Sequence, residues 1–266
     1  MQPHQSLNRV LRTLAWLAAG LACATGAAAT SKGHAPPQPQ VHYTMVTHKF
    51  AVTDPGRDPD ERSMARDVEW SYPVFTDTRD PAMPALNAWA RQRSLVLLLR
   101  TLNGEERLGD DAVIAKAVAS QDFIDEGVEQ AVVRPETALG RYRGVTAFGE
   151  AMGGAHPYHQ LAPHLFSLDR RAEVPVASLF KPDDDDVLQQ LFDAQPEAAC
   201  PDASFDWAQA TVSADDTVLF QYPYRPGRNL KDVDCGLLAI QGPPVTRLLK
   251  SPRSLRPRYQ LVEDSR

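Results

Sequence analysis

Two adjacent glycines set the strongest local constraint in this chain. They open the run Gly153-Gly154-Ala155-His156-Pro157 and stand between two largely apolar stretches. Glycine tolerates positive φ, so the pair marks a tight turn, and Pro157 and Pro163 argue against a helix after it. Tyr142, Val145 and Phe148 form a strand entering the turn, and Leu161 to Asp169 form a strand leaving it. The centre of the fold is therefore expected to be strand, turn, strand.

The flanking segments build around that centre. Val41 to Val52 alternates as a strand does. Val68, Trp70 and Tyr72 alternate with Glu69 and Ser71 in a half-buried strand running to Phe75. Pro81 to Leu102 carries the best helical pattern. Asp80 can cap it, Pro81 suits its first turn, and Gly104 lies past its end. Its apolar stripe of Leu86, Trp89, Ala90, Val96 and Leu97 is interrupted by Arg93. A weaker helix is expected from Asp110-Asp111 to Val118. Asp183 to Asp186 open a short helix through Phe192, where aspartates complement exposed N–H groups. Calcium is the alternative use of that run, although four consecutive residues cannot all face one ion.

Phe205 to Val212 and Thr217 to Tyr224 read as an antiparallel hairpin across Ser213-Ala214-Asp215-Asp216. Gly236 to Ile240 is a last strand, and Val245 to Leu249 a closing helix. The tail 251–266, with Arg253, Arg256 and Arg258, is basic and expected to be loose. Strands and helices are segregated, so the expected class is α+β, a mainly antiparallel sheet packed by one long and a few short helices. The expected organisation is a leader over 1–29, a tether over 30–40 rich in proline, one domain over 41–250, and the tail.

The leader is an expectation about address. Arg9 and Arg12 precede the apolar Leu14 to Ala22, and Ala27-Ala28-Ala29 offers small residues for cleavage before Thr30. The apolar run is shorter than a membrane span of ~20 residues. A cleaved secretory signal follows, with a periplasmic or secreted product and no transmembrane span in the mature chain. Cys23 sits after Gly20-Leu21-Ala22, a poor lipidation motif, and keeps a lipoprotein as the alternative.

Charge narrows the partners. The chain carries 28 basic and 34 acidic residues, net -6. Loss of Arg9 and Arg12 with the signal leaves 26 basic against 34 acidic, or −8. An acidic exported protein is a poor nucleic-acid binder and a better partner for basic proteins. With Cys23 gone, Cys200 and Cys235 remain, and an even pair in an exported chain reads as a disulfide. Such a bond across a long loop contributes roughly 4 kcal/mol in the chain-entropy treatment.

Candidate chemistry is sparse. No GxSxG, SxxK, GxGxxG or GxxxxGK[ST] pattern occurs, so no serine nucleophile or phosphate loop is signalled. His156, His159 and His164 are the nearest thing to a metal set, with Glu150 or Asp169 as further oxygen ligands. Catalytic zinc takes three protein ligands and an open position, yet the spacing matches no HExxH signature. The competing use of His156 is a hydrogen bond to loop backbone, or contact with a partner. No cofactor is implied. Tyr222-Pro223-Tyr224-Arg225-Pro226-Gly227-Arg228 is the other unusual run. Tyr222, Tyr224, Arg225 and Arg228 combine contact area with directed hydrogen bonds, as binding surfaces do. The alternative is a tyrosine facing the core, with Pro223 ending an edge strand.

The order of these features resembles a family. Trp70-Ser71-Tyr72-Pro73 is followed by Leu86-Asn87-Ala88-Trp89, then by Gly153-Gly154-Ala155-His156-Pro157. Leu165-Phe166-Ser167-Leu168-Asp169, Ser178-Leu179-Phe180, an aromatic hairpin and Gly236 to Ile240 complete the series. Over residues 41–250 the chain resembles the RsiV-like exported domain of unknown function, which also accompanies peptidoglycan deacetylases. The resemblance implies a non-enzymatic α+β domain. In the anti-sigma-factor members it implies recognition of lysozyme. This chain shows no span or cytoplasmic segment after the leader, so it is not expected to be an anti-sigma factor itself. Its hairpin also reads Gln221 to Pro226 where the family tends to be acidic and Ala-rich. The expected function is an exported binding module for a basic lysozyme-like protein or a peptidoglycan fragment. The alternative is a metal-dependent envelope hydrolase using His156, His159 and His164.

Overall fold

A long strand and its neighbour form the frame. Strand β1 (Gln40–Asp54) and strand β2 (Met64–Phe75) run antiparallel in unbroken register from Tyr43↔Phe75 to Asp54↔Met64. These come from a computed structural model, which describes residues 37–54, 64–77, 79–99, 111–120, 124, 127–151, 158–182, 185–194, 207–212, 218–220, 238–240 and 243–265. The residues described belong, from Gln38 onward, to one compact unit. No helix among them is long and apolar enough to cross a membrane.

After β2 the chain crosses over through helix α1 (Met83–Leu98) and helix α2 (Asp111–Val118). It returns as strand β3 (Val128–Leu139), parallel to β2. Strands β4 (Tyr142–Ala151), β5 (Tyr158–Ser167) and β6 (Ala172–Glu173) follow antiparallel in turn. Further on come helix α3 (Asp185–Asp193) and the short strands β7 (Ala210–Val212), β8 (Val218–Phe220) and β9 (Leu238–Ile240). Helix α4 (Pro243–Leu248) and strand β10 (Gln260–Glu263) close the chain. The large sheet has the order β10-β1-β2-β3-β4-β5-β6, and β7-β8-β9 form a small antiparallel one.

Three expectations are corrected here. The sheet is mixed rather than mainly antiparallel, because β2/β3 and β1/β10 are parallel neighbours. Parallel pairs need long crossovers, which leave no mark on strand periodicity. The α-helices described are also few and short: α1 has 16 residues, not the span expected from Pro81 to Leu102, and the others have 8, 9 and 6. The expected loose tail is also ordered. Pro252–Leu255 forms a 3₁₀ turn, and β10 hydrogen-bonds β1. Leu255 is buried and Tyr259 and Leu261 pack on apolar neighbours, which offsets the exposed arginines around them.

Alternation along the strands sorts the core by face. Phe166 joins Val41, Phe75, Met83 and Leu86 beneath the start of α1. Its neighbour Leu165 joins Leu139, Phe180, Leu188, Val212 and Val245 on the opposite face. The end of α1, with α2, covers Val52, Val68, Trp70, Val133 and Val145. Trp70 is buried, its indole N–H donating to Ser94 Oγ at 2.7 Å. His48 stacks on it at 4.5 Å between centroids, and the Arg91 guanidinium lies 5.5 Å from its ring.

Asp80 does not cap α1 as its own N-cap; that position is Ala82, without a side-chain bond. Asp80 accepts the Ala82 N–H at 2.9 Å in the turn just before. Its other oxygen pairs with Arg141, whose Nε reaches Asp169 at 2.8 Å. The Asp80 carboxyl is held below its usual range: burial opposes this, but the Arg141 and Ala82 hydrogen bonds outweigh it. That network ties the entry of α1 to the turns flanking β4 and β5.

Candidate functional site

The densest polar cluster described is centred on Glu173, at the short edge strand β6. Pairing of Phe166 with Glu173 sets its backbone beside β5. Helix α1 supplies Trp89 and Arg93, four residues apart and so on one face. Trp89 Nε1 donates to Glu173 Oε2 at 2.7 Å, and Arg93 Nη2 lies 2.6 Å from the same oxygen. His164 of β5 places Nδ1 at 3.0 Å from Oε1. An ionised carboxylate only accepts, so Nδ1 is the protonated nitrogen of the imidazole.

Electrostatics follow from this geometry. Burial alone would raise the Glu173 carboxyl. The hydrogen bonds from His164 and Trp89 and the Arg93 charge outweigh it and hold the group below its ordinary 4.5. Glu173 is 30% exposed and His164 19%. The cluster clamps α1 to the β5–β6 edge, and the Trp89 ring also meets Phe166 at 5.1 Å. Arg93, which breaks the apolar stripe of the helix, is thereby explained: its charge is used by a carboxylate 80 residues on.

A pH dependence follows. A carboxylate depressed in the fold contributes stability above its unfolded value, near 4.5, and loses it as pH falls through the lower folded value. Replacing Glu173 with glutamine should flatten that acid limb. Chemical denaturation at about pH 5 and about pH 3 should show the wild type losing more stability than E173Q. Equal losses would mean that the clamp contributes nothing. Glu173→Ala, leaving three donors short of an acceptor, should cost roughly 2–3 kcal/mol at neutral pH.

Of the expected metal set, the structure describes the side chain of His164 and the backbone of His159. His159 and His164 lie five positions apart on one strand whose pairing to β4 has no break. At ~3.3 Å per residue that is roughly 16 Å between backbones. Asp169, five residues past His164, is an exposed partner of Arg141. His159 pairs in register with Glu150, which brings their backbones together, while its side chain lies outside the described residues. So do His156, Tyr222, Tyr224, Arg225, Arg228, Cys200 and Cys235. Among the described residues no group of three or more His, Cys, Asp or Glu could hold a metal ion.

Glu173 was not singled out from the sequence. Its partners are separated from it by long stretches of chain, and no local pattern links them. The one available signal was Trp89 and Arg93 at helical spacing on a face otherwise apolar.

No family model matches the chain, and no curated protein does. Solved structures do match. A DUF3298 family protein from Pseudomonas aeruginosa superposes with a TM-score of 0.51 at 12% identity, covering 82% of this chain and 97% of that one. The chain shares its fold. A DUF3298 member from Bacteroides fragilis, at 15% identity, covers the same shares with a TM-score of 0.48. The likeness to the Pseudomonas protein places the fold among structures of an uncharacterised domain family. At such identities the DUF3298 likeness speaks to fold alone.

Proposed function

We propose that the chain is an exported binding module of the cell envelope, recognising a basic lysozyme-like protein or a peptidoglycan fragment, with no catalysis of its own. The observation that carries this is the engagement of His164. The best-placed imidazole described is spent on Glu173, which Trp89 and Arg93 hold in turn. His164 thereby positions α1 against the sheet, and among the described residues no serine, threonine or cysteine nucleophile belongs to its network. The formal charge of -6 favours encounter with a basic protein. The motif order shared with RsiV-like domains supports the same class of partner, and Tyr222, Tyr224, Arg225, Arg228 and His156 are its proposed contacts.

Thermal melts with and without ligand test the proposal. A basic lysozyme or soluble muropeptides at about a hundred times the dissociation constant should stabilise the fold by roughly 2.7 kcal/mol. Tyr222→Ala with Tyr224→Ala should remove the shift while the unliganded melt stays the same. No shift with either probe, or one zinc, manganese or iron per chain in protein purified without chelator, would overturn it.

A further inference from the structure

The outer edge of β1 is only partly covered. Strand β10 pairs with it from Gln40↔Gln260 to Tyr43↔Glu263 and goes no further. Strand β1 continues to Asp54. Backbone polarity along the remainder follows from bonds already formed. Gln260 N–H donates to Pro39 O at 2.9 Å and Asp264 N–H to Tyr43 O at 2.8 Å, so odd-numbered carbonyls face outward. Thr76 N–H donates to His42 O at 3.0 Å, so even-numbered ones face β2. The β1–β2 register has no bulge, so this alternation persists. Met45, Thr47, Lys49, Ala51 and Thr53 thus turn their N–H and C=O groups away from β2, and no described strand pairs with them.

A groove runs beside that edge. It measures 390 Å³ and lies between Lys49–Thr53 of β1 and the end of α2, with Val118, Ala119 and Ile124 on the far wall. Its helix side is apolar: Val52, Val118 and Ile124 are buried and Phe50 packs on them. Its other side is polar, because Thr47, Lys49, Ala51 and Thr53 are exposed. An edge strand beside a helix, with apolar and polar faces in alternation, is suited to an added strand.

We infer that the Met45–Thr53 edge of β1 accepts an extended segment of a partner protein, apolar on the α2 side and acidic opposite Lys49. Three observations select this occupant. The same edge already takes a strand, since β10 pairs with its first residues. A second copy is disfavoured: the antiparallel register with the greatest overlap of Met45–Thr53 sets Lys49 of one copy against Lys49 of the other, and like charges opposite one another repel. Lys49 stands opposite Glu69 on β2 but makes no ion pair with it or with any other described residue, so its ammonium can still take an incoming carboxylate. The inference rests on the chain being a binding module, and adds where and how a protein partner is held.

The test uses phage-displayed random nonapeptides selected on the purified protein, followed by amide hydrogen exchange with the enriched peptides made synthetically. Enriched sequences should alternate apolar and polar residues and carry Asp or Glu near the centre. They should slow exchange at Met45, Thr47, Lys49, Ala51 and Thr53 at least tenfold, leaving the even-numbered amides as they were. Lys49→Glu should reverse the charge preference. Thr47→Pro, which removes an outward N–H, should lower affinity at least tenfold. No enrichment, unchanged exchange at those amides, a charge preference unmoved by Lys49→Glu, or protection already present in the free monomer would each overturn it. Peptide binding without any lysozyme or muropeptide binding would remove only the partner named above. The converse would remove only the edge site.

Discussion

Replacing Trp70 with alanine is expected to lower the unfolding free energy by about 3–5 kcal/mol, the range for truncating a large buried aromatic side chain. Trp70 is 1% exposed. The indole fills the space where β1, β2 and α1 meet, stacks with His48, and satisfies Ser94 through its N–H. Alanine would leave a cavity under Leu95 and Leu98 and remove the ring beneath Arg91. Phenylalanine keeps most of the burial and should cost less, about 1–2 kcal/mol from the lost hydrogen bond and partial void. Denaturant melts of both variants give the comparison. Equal costs would mean that volume does not set the contribution of this position.

The second large effect is expected at Gly140, in the turn between β3 and β4. Its φ is +50°, in the left-handed region, and a Cβ there would stand 2.1 Å from the Ser254 carbonyl oxygen. The C-terminal segment passes directly over this turn. Gly140 N–H donates to Pro257 O at 2.8 Å and Tyr259 N–H to Ala138 O at 2.9 Å. Beneath the segment, buried Arg143 donates to Gly140 O at 3.1 Å and Tyr142 O at 2.7 Å. Its guanidinium lies 5.0 Å from the Tyr259 ring. Burial pulls the Arg143 group below its usual range, and among the described residues no carboxylate is hydrogen-bonded to it. Gly140→Val combines backbone strain with a clash against backbone, at a cost of roughly 3 kcal/mol. The segment should lift, and limited trypsin digestion should then cut after Arg253 and Arg258 well before the rest of the chain. A variant that melts like the wild type and keeps those sites protected would contradict the close approach.

These two positions show what could and could not be read from the residues alone. The alternation around Trp70 was legible because β2 has one face on the helices and its neighbours on the other are polar. Strands β4 and β5 were legible as apolar stretches bounded by turn residues, while the glycine turn expected between them lies outside the described residues; α1 was legible as a helix, although it begins at Met83 rather than Pro81. Strand β3 was not, since its burial on both faces removes the alternation that marks a half-buried strand. The sequence of the C-terminal segment suggests a loose tail because arginines dominate its composition. Tyr259 and Leu261, two residues apart, were the strand signal within it. Glu173 could not be paired with Trp89, Arg93 and His164 in advance, because topology rather than local spacing brings them together. The mixed sheet order has the same origin: parallel neighbours are decided by where crossovers return.

The most direct measurement of the central claim, a binding module whose best-placed histidine is structural, is titration calorimetry with a basic lysozyme at low and moderate salt. Saturable heat is expected, with an affinity that weakens as salt screens the attraction between an acidic chain and a basic partner. The same heat should survive His164→Gln, which leaves the proposed contacts untouched. Absence of heat at both salt concentrations, or loss of binding in a well-folded His164→Gln variant, would contradict the claim.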